Sequence, residues 1–424
     1  MHTIFYRPEL TGVAKYTAEM CQWLADRGHE VDVVCPPPYY PAWKIAAPYE
    51  QWRYVRELLS GVIVTRCPIW LPKKPAGLQR IVYAASFALS SLPALGSIVF
   101  RRRPDVLFVL EPSLLNAIVS LLFAKLTGAL AWLQVKDFEI DIAFDLGQLR
   151  GKWIRRLLLR LESWMMRRFD VVSTISQSMG AKVLAKGVRT DHFVLFPDWV
   201  DTDVIFPSNV SNAFRAELAI SENTVIVLFA GTLGAKQGLE TLIAAAQCLQ
   251  KAAESARDDI LILICGDGQA VPMLHGLASG LTNVRFIDLQ PADRLNGLLN
   301  AADIHVLPQV PEVADSVLPS KLLGMLASGR PIIATVGADS EVGRLVANCG
   351  GTVTPGDATA LAHAIHQMAM DREGREQLGL EARKTAVRLF HQESILAEFE
   401  LQLKQRLARG VAVVDSTNDM SPTT

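Results

Sequence analysis

The chain has 424 residues, half of them hydrophobic, with a formal net charge of -1 at pH 7 and a mean hydropathy of +0.23. That length exceeds one ordinary domain and predicts two. The near-neutral balance excludes a global electrostatic pull toward nucleic acid or toward acidic partners.

From the N-terminus, Met1–Tyr6 has no basic region followed by an apolar run, so no signal peptide is read there. His2 to Tyr6 is expected to be a first strand of only about five residues. A Rossmann-type domain opens with a fuller one, and a few residues upstream of Met1 are expected. Tyr16 to Arg27 reads as a helix with Met20, Trp23 and Leu24 on one face; Gly28 ends it. His29–Cys35 is the next strand, closed by Pro36-Pro37-Pro38. Short apolar runs at Val62–Val64, Val106–Leu110, Ala129–Val135 and Val171–Ile175 fit a parallel sheet covered on both faces. Ile81 to Phe100, ahead of Arg101-Arg102-Arg103, approaches membrane-spanning length. It holds four serines, Gly96 and Pro93, so an interfacial or buried helical hairpin is expected.

Arg150 to Phe169 carries Lys152, Arg155, Arg156, Arg160 and Arg167 on one helical arc. Trp153, Ile154, Leu157, Leu158, Leu161, Trp164 and Met165 fall on the opposite arc. A basic amphipathic helix with tryptophans suits an anionic bilayer surface. The other reading is a core-facing helix with a solvated basic face.

The second half repeats the alternation. Strands are expected at Thr224–Ala230, Ile260–Cys265, Val284–Ile287, Ile304–Leu307 and Ile332–Thr335, with helices at Leu239–Lys251 and Pro319–Ala327; Thr352-Val353 precedes a final helical region. The halves join where Pro207, Ser208 and Asn209 interrupt the pattern. Six cysteines (Cys21, Cys35, Cys67, Cys248, Cys265, Cys349) form no CxxC pair and are expected to be buried thiols of a reducing compartment.

Four loops sit where α/β sheets place ligands. Pro8–Lys15 contains Gly12, which lets a phosphate approach backbone amides; alone it reads as an ordinary helix-starting turn. Gly231-Thr232-Leu233-Gly234-Ala235-Lys236-Gln237-Gly238 follows a strand, and its glycines and Lys236 suit a diphosphate. Gly266-Asp267-Gly268 either flanks a nucleotide or caps a strand. In Asp315-Ser316-Val317-Leu318-Pro319-Ser320-Lys321, Pro319-Ser320 opens a helix whose free amides would face a phosphate. Lys321 there opposes the helix dipole, a cost that a bound anion would relieve.

Taken together, these motifs resemble the retaining GT-B glycosyltransferases of family 4. Pro8-Glu9-Leu10-Thr11-Gly12, Lys15-Tyr16-Thr17, Arg27-Gly28-His29-Glu30-Val31 and Pro37-Pro38-Tyr39-Tyr40-Pro41 resemble the WcaI-type subgroup, associated with colanic acid and other exopolysaccharide synthesis. The resemblance spans residues 1 to 405. It implies an α/β GT-B fold: two facing Rossmann-like domains with an interdomain cleft. Residues 1–203 would form the N-terminal acceptor-side domain, 204–212 a linker and 213–385 the nucleotide-sugar domain. A C-terminal helix, 386–409, would pack back on the N-terminal domain, ahead of a disordered tail, 410–424. By resemblance Gly12, Gly231, Thr232, Lys236, Gly266, Gly268, Ser316, Ser320 and Lys321 bind donor. Asp137 and Lys321 are the catalytic candidates; Lys15, Glu139 and Asp141 face the acceptor. The three carboxylates, in Gln134-Val135-Lys136-Asp137-Phe138-Glu139-Ile140-Asp141, would equally fit a solvated acidic loop.

The sequence departs from the broad family in places. Two glutamates eight positions apart are replaced by Ser316 and Gly324, with Asp315 beside the first. Thr232 stands for an arginine, Lys236 lies one place early, and Gln134 stands for a histidine. The WcaI-type pattern also has Pro-Ser-Lys-Leu without the second glutamate. The resemblance implies a metal-independent retaining transfer of a hexosyl group from a nucleotide sugar to a lipid-linked glycan, with no cofactor. The enzyme would be peripheral, at the cytoplasmic face of the bacterial inner membrane. A nucleotide-sugar epimerase of the same fold and a non-catalytic sugar-nucleotide-binding subunit are the alternatives.

Overall fold

The computed structural model describes residues 1–424 except 10–11, 41, 73–77, 112–113, 139, 142–143, 145–150, 209–212, 235–236, 257–258, 311–317 and 419–424; for residues 78, 111, 253–256 and 409–418 it describes the backbone alone. The chain divides into two compact units, residues 1–197 with 395–424, and residues 198–394.

In the first unit, β1 (Asp32–Cys35), β2 (Val55–Leu59) and β3 (Val62–Arg66) pair in the order β2-β3-β1. β4 (Val106–Glu111), β5 (Leu130–Val135), β6 (Val171–Thr174) and β7 (Phe193–Leu195) run side by side in parallel. His2 joins the two sets: it bridges Val34 of β1 and Val109 of β4, and its N–H donates to the Phe108 carbonyl at 2.8 Å. The sheet is not wholly parallel as expected, because β2 pairs antiparallel with β3. Arg56 and Glu57 break the apolar run of β2, which is how an exposed edge strand reads.

Helix α1 (Gly12–Asp26) begins at Gly12 rather than Tyr16. The expected hairpin after Ile81 is instead one helix, α2 (Leu78–Arg102), with Pro93 inside it. Its serines make this possible. The hydroxyls of Ser86, Ser90 and Ser91 donate to the carbonyls of Tyr83, Phe87 and Ala88, and Ser90 also reaches Pro68. Serine is therefore satisfied within or beside the helix. Phe87, Ser91, Leu95 and Val99, four residues apart, form its buried face. By length and composition α2 is the one helix among the described residues that could cross a membrane. Among the described residues, α3 (Leu114–Thr127), α4 (Lys152–Met166) and α5 (Gln177–Ala185) follow.

The C-terminal helix runs Gln392–Asn418, so the expectation of a disordered stretch from 410 is corrected as far as Asn418. Good helix formers (Leu, Glu, Gln, Lys, Arg, Ala) dominate residues 392–408, and a helix once formed propagates at little cost into the weaker Gly410 to Asn418 stretch. Phe399 on this helix stacks on Phe196 at 4.4 Å and meets Phe108 and Trp132 edge-on at 5.7 and 5.2 Å.

In the second unit, β8 (Val225–Ala230), β9 (Ile260–Cys265), β10 (Val284–Ile287), β11 (Ile304–Leu307), β12 (Ile332–Thr335) and β13 (Gly350–Val353) are all parallel. Their order, β10-β9-β8-β11-β12-β13, is that of a doubly wound dinucleotide-type sheet, with its topological switch between β8 and β11. Helices Leu239–Ala256 and Ala358–Met370 cover one face, where Leu242, Ile243, Ala246, Leu361 and Ile365 join Val227, Ile262 and Val306 in one core. Five of the six cysteines are buried and the sixth, Cys248, is half-buried; all are free thiols.

Candidate active site

The site in the second unit is built from strand ends. The loop after β8 and the loop after β9 are laced together: Gly231 N–H donates to the Cys265 carbonyl at 2.9 Å, Leu233 N–H to Asp267 at 2.8 Å, and Ala270 N–H to Leu233 at 3.0 Å. This closeness requires glycine. A Cβ on Gly266 would lie 1.9 Å from the Gly231 carbonyl oxygen, and one on Gly268 2.3 Å from that of Leu233. Gly266 and Gly268 thus let two loops pack backbone on backbone. Gly238 brings the first loop against the Gln309 carbonyl, beyond β11, so the loop closes over the switch point.

Lys321 enters the same place. Its Nζ donates to Gln237 Oε1 at 2.5 Å, sits 4.3 Å from the centre of the Phe229 ring, and lies 3.2 Å from where a Gly231 Cβ would be. Burial lowers this amine from 10.5 to about 7. A diphosphate brought to Gly231 would restore the positive charge and gain an ammonium partner. One expectation is corrected. The helix begins at Lys321, not Pro319, and the N–H groups of Leu322 and Leu323 already bond to Pro319 and Ser320 at 3.0 and 3.3 Å. They are not free for a phosphate. Ser320 and Thr232 are exposed at the rim. Lys236, Asp315 and Ser316 lie outside the described residues.

Beside these loops is a cavity of about 500 Å³ that sequence reasoning missed. Leu233, Gly266 and Asp267 line one side; His275, Phe286, Asp288 and Gln290 line the other. The His275 ring stacks on Phe286 at 4.1 Å. The only signal in the sequence was position: Asp288 and Gln290 directly follow β10.

In the first unit Gly12 opens α1, and Lys15 on its exposed side pairs with Glu19 at 3.9 Å. Asp137 is half-buried, two residues past the end of β5, and Glu139 lies outside the described residues. Gln134 is a strand residue: it accepts from Ser173 Oγ and donates to the Phe196 carbonyl. Asp141 is tied down. It pairs with Lys186 at 3.3 Å and with Arg155 of α4 at 3.8 Å, and Lys186 also grips the fully buried Glu162. Burial pushes the Glu162 carboxyl up. Glu162 and Asp141 hold Lys186 above its ordinary value against the burial that would lower it. Asp141 is therefore a bolt between the post-β5 segment and α4.

The basic arc of α4, Lys152, Arg155, Arg156, Arg160 and Arg167, is exposed. Much of the apolar arc is exposed too. Trp153 is 81% exposed and Leu157 68%, with Ile154, Leu161 and Trp164 beside them; Met165, Met166 and Glu162 make the buried side. A helix serving only the core would bury those residues. On α3, which packs beside α4, Leu122 and Leu126 are exposed as well. Among the described residues no three His, Cys, Asp or Glu side chains are grouped to hold a metal ion.

Residues 11–199 match the family described as a glycosyl transferase 4-like domain, and residues 224–371 match glycosyl transferases group 1. The chain is 37% identical over 418 residues, covering 94% of its length and 98% of the relative's, to WcaI of Escherichia coli K12, named as a colanic acid biosynthesis glycosyl transferase. Two solved structures share the fold. Sucrose-phosphate synthase from Thermosynechococcus elongatus superposes with a TM-score of 0.75 at 18% identity, over 96% of this chain and 99% of that one. HepE from Anabaena, in complex with UDP-glucose, gives 0.68 at 16% identity, over 95% and 99%.

Proposed function

We propose that this chain, which belongs to the WcaI-type subgroup of the family 4 GT-B glycosyltransferases and is a glycosyltransferase, moves a hexosyl group from a nucleoside-diphosphate sugar to a lipid-linked glycan in the synthesis of an exopolysaccharide of the colanic acid kind. The observation that carries the donor half is the buried amine of Lys321 beside Gly231, at the switch point of the second sheet. The cavity lined by His275, Phe286 and Asp288 would take the base.

In this reading the bond between the anomeric carbon and the β-phosphate oxygen breaks, and the electron pair stays on that oxygen. Lys321, charged by the diphosphate it meets, stabilises the leaving group, so no metal is required. The acceptor hydroxyl attacks from the same face, its proton passes to the departing phosphate, and configuration is retained. Asp137 orients acceptor hydroxyls. The exposed apolar stripe and basic arc of α4 support attachment to an anionic membrane surface, the cytoplasmic face of the bacterial inner membrane. The stripe gains membrane burial, and the arginines meet lipid phosphates.

The test is nucleotide release with UDP-, GDP- and dTDP-sugars, with membrane extract as acceptor, in buffer with and without EDTA. Release with one donor, dependent on extract and insensitive to EDTA, is expected. Turnover without extract would point to an epimerase, and no release with any donor would overturn the reading.

A further inference from the structure

We propose that five aromatic side chains at the carboxyl edge of the first unit's sheet, Phe5, Tyr39, Tyr40, Trp43 and Tyr83, form a subsite that stacks on a sugar ring of the acceptor. The inference rests on the reading of the acceptor as a glycan.

The cluster follows from a segment that the catalytic reading leaves unused. Pro36-Pro37-Pro38 ends β1, and the chain then turns through Tyr39 and Tyr40. That turn is fixed by one side chain. Glu9, in the loop ahead of α1 and only 7% exposed, accepts from the N–H groups of Tyr39 and Tyr40 at 2.8 and 2.9 Å through a single carboxylate oxygen. Lys44 N–H to Tyr39 and Ala46 N–H to Pro38 close the segment from the other side, at 3.2 and 2.9 Å. The rings then meet one another. Phe5 stacks on Tyr39 at 5.9 Å; Trp43 stands edge-on to Tyr39 and Tyr83 at 5.7 and 5.4 Å; Tyr40 reaches Phe5 at 5.6 Å. Tyr39 donates its hydroxyl to that of Tyr83, on α2, at 3.3 Å.

Two features separate this cluster from ordinary core. First, it is not closed. Tyr39 is buried, but Tyr40 is 40% exposed and Phe5, Trp43 and Tyr83 are half-buried. Second, Trp43 is held at φ 53°, the left-handed region, where a bulky side chain is strained. Core packing alone gives no reason to keep an aromatic there, since asparagine or glycine would sit without strain. Such strain persists where surroundings enforce it, and it collects at functional sites. Partly open rings with phenolic rims match a pyranose, which offers a face of C–H groups and an edge of hydroxyls. The position fits as well: the loops after β1 and before α1 lie at the carboxyl edge, where open α/β sheets bind ligands.

The experiment compares wild type with Trp43→Asn and Tyr40→Ala in the membrane-extract assay. Expected are a tenfold or greater rise in KM for the extract, an unchanged donor KM, and for Trp43→Asn a Tm equal to or above wild type. A purely packing role would instead lower Tm and leave the acceptor KM alone. An acceptor KM within twofold of wild type in both variants would overturn the inference while nucleotide release stands. A second arm needs no turnover. Glycan freed from the extract by mild acid should quench tryptophan fluorescence in wild type but not in Trp43→Asn. Equal quenching of both proteins by the glycan, or quenching only by undecaprenol in detergent micelles, would overturn it as well.

Discussion

Replacing Lys321 by methionine keeps the apolar stem and removes the amine, and it should separate two quantities that usually fall together. In the free protein the amine sits in a dry place and is lowered from 10.5 to about 7 by burial. Between those values the unfolded chain binds a proton that the folded chain does not, so stability rises with pH from 7 to 10.5; below pH 7 the full cost of the buried ammonium is present. At about 1.4 kcal/mol per unit, that cost is on the order of 5 kcal/mol. The variant lacks it, so the ligand-free variant should unfold at a higher temperature than wild type at pH 7, with the gap closing toward pH 10. Nucleotide binding should move the other way. A hydrogen bond to a charged group contributes about 1.5–3 kcal/mol, so the variant's Kd for the nucleoside diphosphate should rise roughly 10- to 150-fold. Calorimetry in two buffers of different ionisation enthalpy adds a third readout. Wild type at pH 7 should take up about half a proton on binding and the variant none. Thermal unfolding and calorimetry on the same preparations decide the matter. A variant that unfolds earlier at pH 7, or that binds nucleotide as tightly as wild type, would refute the argument.

Lys186→Met would leave Glu162 buried without its cation and should cost about 3–5 kcal/mol; Lys186→Met with Glu162→Gln should recover most of it, measured by urea unfolding. Trp153→Glu with Leu157→Glu should abolish sedimentation with vesicles rich in anionic lipid while leaving Tm within a few degrees, because both side chains already face solvent. Gly266→Ala would drive a Cβ into the Gly231 carbonyl, and either the loops part or the variant fails to fold; nucleotide affinity should be lost in any soluble protein, checked by calorimetry.

How far the sequence spoke depends on where each element lies. The ranges read for β9, β10, β11 and β12 agree with the structure residue for residue. Three of these, β9, β11 and β12, are fully buried runs bounded by breakers and apolar but for His305 and Thr335. The edge strand β2 was not legible, since half of it faces solvent and its charges mask the pattern. The continuity of α2 was hidden by Pro93 and the serines, whose hydroxyls turn out to bond to carbonyls of the helix and its neighbour. In the site, the glycines after β8 and β9 announced a close backbone approach, and Lys321 announced itself by standing in the first turn of a helix. The cavity at His275, Phe286 and Asp288 had no sign beyond the position of Asp288 at the end of β10, and the engagement of Asp141 by Lys186 had none.

Taken alone, the sequence determined the two α/β halves, most of their strands and the residues that flank the strand ends. Each of those depends on neighbours a few positions away: apolar alternation, breakers, glycine where the backbone must turn. The lowered affinity of Lys321 for its proton was decided by tertiary structure alone. It arises because Gln237, 84 positions earlier, and Phe229 and Gly231 close around the amine and exclude water. Desolvation sums over everything near a group in space, and nearness in space is what the fold, and not the local chain, supplies.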